Sequence, residues 1–479
     1  MKSASLKPSV VRNKLDKEKS LGSIAGPFNE HPFQNMVYSP LGLQPKKLPG
    51  EFRVIHDLSY PRGGHSVNSG IPRDRSTVQY SSVPQAIQLI KTHGRFSYLA
   101  KTDIKSAFRI IPIRPDQYHL LGFQWEGSYY YDRCLPMGCS SSCSIFEAFS
   151  TSLEYIIRSK VTNVSIIHIL DDFLFVSNSY EDCYNALMLF LEICQEIGVP
   201  MALDKTFGPY QALPFAGILL DSRDMSASLP EDKIEKFINY IDVILNSRTV
   251  TLKQVQSVVG MLNFACTIIE PARAFSRRLI DLTKGLTIPY HHIKVTRQSK
   301  EDLKVWKQFL LGYNRKTFFL DYKFVSTKVL HLFTDSCTTV GFGGYYGDKW
   351  FCGKWPKACH GLHISLLELY PIFLAFQLYG YNFKNRCICI HSDNIAVVHI
   401  LNSSTSKDPL MMIMVRKLIL FCMLNNIYIK ALHISGEINE LADSLSRFQM
   451  EKVWQLGKFL NPRPTPIPRE LHLDRLLER

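Results

Sequence analysis

Three aspartates stand where carboxylates could gather around a divalent cation. Asp171 and Asp172 are adjacent at the tip of the apolar run Ser165–Val176, the pattern of a β-hairpin whose turn carries two like charges. Two-residue hairpin turns favour Asn-Gly or Asp-Gly because the turn needs positive φ, so Asp-Asp between Leu170 and Phe173 is a poor turn. Paired carboxylates also repel each other unless a cation joins them. Upstream, Asp103 closes a second strand-like run within Phe96–Phe108. Carboxylates at the ends of neighbouring strands make an oxygen-rich site for two Mg²⁺ ions, the apparatus of in-line phosphoryl transfer. Turn and cap aspartates are common, and each motif alone fits that plainer role.

The elements that must position these acids follow from pattern and punctuation. Residues 1–45 are polar and basic and read as an arm lying across a larger body. Residues 46–225 begin with strand-like Phe52–Leu58 and a Gly/Ser/Asn/Pro-rich loop, then alternate β-type and helical runs, a mixed α/β core. Residues 226–290 turn helical, with a capping-box start at Thr251 and Gln254 and an apolar stripe over Val255, Val258, Val259, Leu262 and Phe264. A connector at 291–327 leads to a second α/β pattern at 328–450, and the Pro-rich tail 451–479 is expected to be extended or loosely attached.

Composition narrows the class. The 479 residues are 46% hydrophobic and 20% charged, which suits about three globular domains. Lysine and arginine outnumber aspartate and glutamate by 56 to 42, giving a net charge of +14 and a polyanionic substrate as the expectation. Twelve scattered cysteines without a Cys-x-x-Cys pair argue against a zinc knuckle or a disulfide scaffold. No secretory segment opens the chain, and Met411–Leu424 is too short and too interrupted to span a bilayer, so an intracellular protein of cytoplasm or nucleus is expected.

Order lifts the aspartates above the plainer role. After Asp103 comes Leu135-Pro-Met-Gly, a Pro-x-Gly turn feeding a helix of small residues that lets a nucleotide or strand approach the backbone. The Asp-Asp hairpin follows, then Gly198–Thr206 and Phe215–Asp221. In this order the segments resemble a reverse transcriptase palm, over roughly residues 20–290. That resemblance implies Asp103 and Asp171 as ligands of both metals, Asp172 as a supporting carboxylate, and Ile104 contributing its backbone carbonyl. It implies Phe108 as the aromatic that excludes a 2′-hydroxyl, against a plain core role. Arg53 would grip the incoming triphosphate, with Lys46 or Lys47 as a second phosphate contact. Met137 and Gly138 would line the nucleotide site, and Lys205 would stand near the leaving pyrophosphate as a general acid, against a solvated surface role. Two departures are Ile169, where the family usually has Tyr at the primer end, and Met137 in the Pro-x-Gly turn.

A second acid set occupies the C-terminal third. Asp335 ends the strand-like run Val329–Asp335, Glu368 lies in an apolar helical run, Asp393 follows Cys387–Ser392, and Asp443 lies in Asn439–Arg447. A capping box at Ser365 and Glu368, or a turn at Asp393 and Asn394, would be the plainer readings. Four acids on strand, helix, strand and helix resemble ribonuclease H, whose acids bind two Mg²⁺ to hydrolyse the RNA of an RNA–DNA hybrid. The usual loop histidine is missing, since Glu437 and Ile438 leave no room for it; slower product release or partial substitution by Glu437 would follow.

The combined expectation is a right-hand polymerase (fingers, palm, thumb) of α/β, or α+β, class followed by a ribonuclease H-like α/β domain. It would use Mg²⁺, with Mn²⁺ as a substitute, and dNTPs, an RNA template, a DNA primer and RNA–DNA hybrid. Arg273, Arg277 and Arg278 are candidates for phosphate contacts. Leu-Asp-Asp-Phe-Leu, Gly22–Phe28, His56-Asp-Leu-Ser, Ala274–Ile280 and Pro466–Pro468 resemble DIRS-type, tyrosine-recombinase retrotransposons, with gypsy-type LTR elements as the near alternative. Protease, integrase and recombinase motifs are absent, so one segment of a longer polyprotein, or a truncated copy, is expected. The competing reading is a domesticated or decayed copy that binds nucleic acid without catalysis, though decay would not be expected to spare seven acids. A viral RNA-dependent RNA polymerase is opposed by Phe108 and by the second acid set.

Overall fold

A computed structural model describes residues 2–46, 50–312, 316–318, 325–384, 386–425, 427–435 and 439–477. The chain divides into two compact units, Met1–Ala227 and Ser228–Arg479. In the first, helix α1 (Pro8–Ser20) buries Val11 and Leu15 beside Ile24, Leu41, Leu43 and Phe123, so the basic arm is seated on the body through an apolar face. Strands β1 (Leu41–Pro45) and β2 (Phe52–His56) pair antiparallel and carry Arg53 opposite Gln44.

The centre of this unit is a four-stranded sheet. Strands β3 (Tyr98–Asp103), β4 (Val164–Ile169), β5 (Asp172–Ser177) and β6 (Phe207–Tyr210) lie in the order β4-β5-β3-β6. In β5, the consecutive Phe173, Leu174, Phe175 and Val176 are all fully buried. An unbroken apolar run of this kind belongs to a central strand covered on both faces. Helices α2 (Ser142–Arg158) and α3 (Tyr180–Glu196) supply one covering layer, with Phe146, Leu153, Ile157, Cys183, Leu187 and Phe190 in a common core.

The second unit starts with helices α4 (Glu231–Asn246) and α5 (Leu252–Ala265). The expected capping box holds: the Thr251 N–H donates to Gln254 Oε1 at 2.8 Å and the Gln254 N–H to Thr251 Oγ1 at 3.3 Å. The buried stripe is Leu252, Val255, Val258, Leu262 and Ala265. Helix α6 (Arg297–Leu311) brings Asp302 to 2% exposure, where Arg278 Nη1 stands 3.0 Å away and Arg416 Nε 3.5 Å away. Burial pushes the Asp302 carboxyl up to about 6 against the pull of Arg416 and Arg278. The expected thumb, connector and C-terminal domain therefore share one unit and one buried ion cluster.

Strands β7 (Leu332–Ser336), β8 (Gly341–Tyr346) and β9 (Lys349–Lys354) form an antiparallel sheet. Strands β10 (Cys387–Ser392) and β11 (Tyr428–His433) are parallel, and the short strand Val325–Ser326 pairs with β10. The expected strand Val329–Asp335 is thus shorter at its start, because Thr327–Leu330 is a helical turn and the strand begins at Leu332. Around these sheets lie α7 (Ile364–Tyr379), α8 (Ile395–Ser403), α9 (Pro409–Leu424) and α10 (Glu440–Ser446). The segment Ile364–Phe383 is long and apolar enough to cross a membrane by length and composition. It is instead the central helix of this unit, with Leu366, Leu369, Phe373 and Phe376 at no more than 1% exposure.

The tail differs from expectation. It is extended over Asn461–Pro468 but firmly attached. Trp350 Nε1 donates to the Asn461 carbonyl at 2.7 Å, Tyr379 Oη donates to Thr465 Oγ1 at 2.9 Å, and Leu473 and Leu476 are 2% exposed. Prolines cannot donate to a ladder, so the neighbouring Thr465 N–H and side-chain donors make the attachment.

Candidate metal centres

The hairpin that joins β4 to β5 has Ile169 opposite Asp172, leaving Leu170 and Asp171 as its two turn residues. Leu170 takes φ +54°, the left-handed conformation that such a turn demands and that a branched side chain seldom adopts. Asp172 opens β5 directly across from Asp103, the last residue of β3. The Ile104 N–H donates to the Asp171 carbonyl at 3.0 Å, which locks the turn against the end of β3. Register and turn together bring Asp103, Asp171 and Asp172 to one edge of the sheet. Ile104 itself is 1% exposed and packs in the core.

Like charges this close must be offset. Lys205 Nζ donates to both oxygens of Asp103, at 2.9 and 3.0 Å. Burial works against the Lys205 ammonium, yet the hydrogen bonds and charge of Asp103 outweigh it and hold its pKa above the usual lysine value. Burial, then the charge of Asp103, raises the Asp171 carboxyl, with Lys205 and Arg53 pulling the other way. Burial pushes Asp172 up to about 6 despite Lys101. Carboxylates that hold protons more tightly than usual at a partly solvated edge are a donor set suited to a divalent cation.

The nucleotide-site candidates at the end of β2 and in the Pro-x-Gly turn are tied to one another. The His56 N–H at the end of β2 donates to the Met137 carbonyl at 2.9 Å. Gly138 has φ +126°, and any side chain there would collide with the His56 carbonyl, so the Pro-x-Gly turn requires glycine for close approach. Asn68 completes the junction, donating to the Gly138 carbonyl at 2.8 Å and accepting from the Ser140 N–H at 2.9 Å. Arg53 is exposed on β2. Lys46 stands beside Glu51, Nζ to Oε2 at 3.3 Å, and Lys47 lies outside the described residues. Phe108 is half-buried and edge-on to Phe146, centroids 5.6 Å apart.

In the second cluster Asp335 and Glu368 are buried and Asp393 is exposed. Ligand oxygens of Asp335 on β7, Glu368 on α7 and Asp393 after β10 all lie within 4.8 Å of one another. Ser446 Oγ donates to Asp335 Oδ2 at 2.6 Å. Asp443 on α10 is held by Arg447, Nε to Oδ1 at 2.7 Å, so the fourth acid stands beside the trio with a cation of its own. Burial, joined by the charges of Asp335, Asp393 and Asp443, pushes Glu368 up to about 9. Asp335 is pushed to about 6, chiefly by burial. The capping-box reading of Ser365 fails, because His363 is the N-cap and its Nδ1 accepts from the Ser365 N–H. Asn394 caps α8, accepting from the Ala396 and Val397 N–H groups, which leaves Asp393 for the cluster. Glu437 lies outside the described residues.

Of the three basic candidates in the second unit, Arg277 pairs with Asp281 at 3.0 Å and Arg278 with Asp302, while Arg273 is exposed. Glu147, His168 and Glu154 were not singled out by the sequence, although two helix carboxylates seven residues apart and a histidine inside an apolar strand are a visible signal. His168 Nδ1 meets Glu154 Oε2 at 2.6 Å, and Glu147 Oε2 accepts from the Leu170 N–H at 3.1 Å.

Residues 53–218 match the family described as reverse transcriptase (RNA-dependent DNA polymerase). The chain is 25% identical over 223 residues to the Pro-Pol polyprotein of Simian foamy virus type 1, covering 47% of this chain and 17% of that one. It is 25% identical over 211 residues to the enzymatic polyprotein of Cestrum yellow leaf curling virus, covering 42% and 30%. The chain thus spans less than a third of the length of these two relatives. Its structure is similar to foamy viral protease-reverse transcriptase in complex with double-stranded DNA, with TM-score 0.53 and 16% identity over 88% of this chain and 69% of the other. It is similar also to the same viral protein in complex with RNA/DNA hybrid, with TM-score 0.52 and 18% identity over 89% and 54%. These likenesses are to the reverse transcriptase domains of viral polyproteins, with residues 53–218 carrying the family match. The fold is accordingly of mixed α/β class and matches that of the foamy viral protease-reverse transcriptase structures.

Proposed function

We propose that the chain is an RNA-directed DNA polymerase with a hybrid-specific ribonuclease H, copying retroelement RNA into DNA. The observation that carries this reading is the edge where Asp103 faces Asp172 across the sheet, with Asp171 in the adjoining turn. Asp103 and Asp171 hold two Mg²⁺ ions, with Mn²⁺ as a substitute, assisted by Asp172 and the Ile104 carbonyl. Bound there, the cations supply charge stabilisation for phosphoryl transfer. Arg53 and Lys46 or Lys47 bind the triphosphate of a dNTP, and Met137 and Gly138 line its base side. Phe108 blocks the 2′-position, which its place five residues after Asp103 supports. Lys205 protonates the leaving pyrophosphate; its contact with Asp103 supports a position beside the reacting phosphates.

Asp335, Glu368, Asp393 and Asp443 hold the second metal pair and act on the RNA strand of a hybrid, a reading supported by the gathered oxygens of the first three. RNA template, DNA primer and hybrid are the polyanionic partners, and the net charge of +14 favours them. Within retroelements, the motifs around Asp171, His56 and Ala274 favour the DIRS type over the gypsy type. Primer extension on poly(rA)/oligo(dT) tests the polymerase. Synthesis by the wild type and none by Asp171→Asn is the expected result; equal silence on several templates would transfer the weight to nucleic-acid binding without catalysis.

A further inference from the structure

Asp171 sits in a turn whose other residue, Leu170, is held at φ +54° without the help of glycine. A left-handed leucine returns readily to ordinary backbone geometry unless its surroundings fix it. What fixes it here comes from a different element. Glu147, on α2, directs Oε2 at the Leu170 N–H, 3.1 Å away. Its other oxygen lies 3.4 Å from His168 Nε2, an ion-pair distance without hydrogen-bond alignment. His168 is anchored in turn: Nδ1 meets Glu154 Oε2 at 2.6 Å, and the ring stacks on Phe173 with centroids 5.2 Å apart. Glu154 is also bonded by Arg158 at 3.0 Å.

Glu147 and Glu154, two turns apart on α2, thus bracket one histidine of β4. The group is surrounded by the apolar core that contains Phe146, Ile157 and Phe173. Burying charged groups there is costly, a cost that an apolar side chain at 147 would not carry. The carboxylate does one thing that an apolar side chain cannot: it accepts the N–H of the strained turn residue and so sets the direction of the next side chain, Asp171.

We propose that Glu147 is a positioning residue for Asp171, with His168 and Glu154 holding the Glu147 carboxylate in place. This rests on the reading of Asp171 as a metal ligand. Groups that orient metal ligands typically change metal affinity or activity by about 10–100-fold when removed. The relevant bond needs an acceptor, not a charge, so a glutamine retains it where a methionine does not.

The test uses the full-length chain with Asp335→Asn and Asp393→Asn, which removes the C-terminal acids as a competing cluster. Mn²⁺ binding is measured by calorimetry without nucleic acid, and kcat and KM by dTTP incorporation on poly(rA)/oligo(dT). Glu147→Met is expected to weaken Mn²⁺ binding and lower kcat, each by about 10–100-fold, with KM for dTTP changed by less than about threefold. Glu147→Gln is expected to recover most of both. Wild-type Mn²⁺ affinity in Glu147→Met, or an equal loss in Glu147→Gln, overturns the proposal. Should Glu147→Met fail to fold, His168→Gln, which releases the carboxylate, carries the same expectation, and unchanged Mn²⁺ affinity in it overturns the proposal. Failure of the underlying reading is distinguishable, because Asp171→Asn would then bind Mn²⁺ and incorporate dTTP as the parent does.

Discussion

The two acid clusters meet the same electrostatic difficulty by different means. At the edge of the N-terminal sheet, Asp103 shares its charge with Lys205, and Asp171 feels both Lys205 and Arg53. In the C-terminal unit, Glu368 lies among three other acids and answers with a proton, its pKa pushed up to about 9. The first cluster leans mainly on cations already in the chain, whereas in the second Arg447 holds Asp443 and Glu368 takes up a proton. The first arrangement is open to rearrangement of a flexible lysine when a substrate phosphate arrives. The second couples every change of cation occupancy to a change of bound protons.

The largest effects come from breaking each cluster separately. Asp171→Asn is expected to lower DNA synthesis by at least ~10²–10³-fold, since it removes a ligand of the cations that would offset charge on the reacting phosphate. Asp393→Asn is expected to abolish cleavage of the RNA strand in a labelled hybrid while primer extension continues. If either substitution silences both assays, the two clusters do not act independently.

A pH titration sharpens the contrast. Glu368 binds its proton far more tightly in the folded chain, at about 9, than a free glutamate does at 4.5. Its contribution to stability is therefore present at acid pH and is lost as pH rises toward about 9. Chelator-treated protein should show a Tm that falls between about pH 4.5 and about pH 9, the interval between the free and the folded Glu368 carboxyl, with Asp335 adding to the fall below about pH 6. Saturating Mg²⁺ or Glu368→Gln should flatten that fall, and a Tm that stays level in chelated wild type would contradict the protonated state. Calorimetry in two buffers of different ionisation heat should register proton release on Mg²⁺ binding to this unit.

Smaller effects probe what surrounds the first cluster. Phe108→Ala should raise ribonucleotide incorporation in a competition assay and leave RNA cleavage alone; unchanged discrimination would mean that the ring merely fills core beside Phe146. Arg273→Ala should weaken hybrid binding and reduce the slope of log K against log salt by roughly 1, whereas an unchanged slope would remove Arg273 from the contact surface.

What could be read from the amino-acid order was what local pattern determines. Apolar runs ending in Asp103, Asp335 and Asp393 are strands with terminal acids, and the Thr251 box starts a helix, because each depends on neighbours a few residues apart. Asp171 and Asp172 were legible as a hairpin tip, but not that Leu170 takes the left-handed place and Asp172 joins the strand. The Glu147–His168–Glu154 group escaped because helix packing on a hairpin, not sequence spacing, brings it together. Arg277 and Arg278 look like phosphate contacts in isolation; their carboxylate partners lie four and 24 residues away, and only the fold shows the second as a partner. The firm seating of the Pro-rich tail likewise depends on contacts made across the second unit.

The buried meeting of Arg278, Asp302 and Arg416 bears on how the protein should be shortened. Arg416 belongs to the C-terminal α/β pattern, whereas Arg278 and Asp302 precede it in the chain. A stop after residue 327, the natural way to make a polymerase-only fragment, would take away one of two guanidiniums from a carboxylate 2% exposed. Asp302 would keep Arg278, but its second oxygen would lose the guanidinium that faces it, and the packing around the pair would be unsettled. Such a fragment would differ from the parent in the packing of its own remaining helices, so weak synthesis by it would say little about the polymerase, and a cassette exchange of the C-terminal domain would have to carry Arg416 along with it.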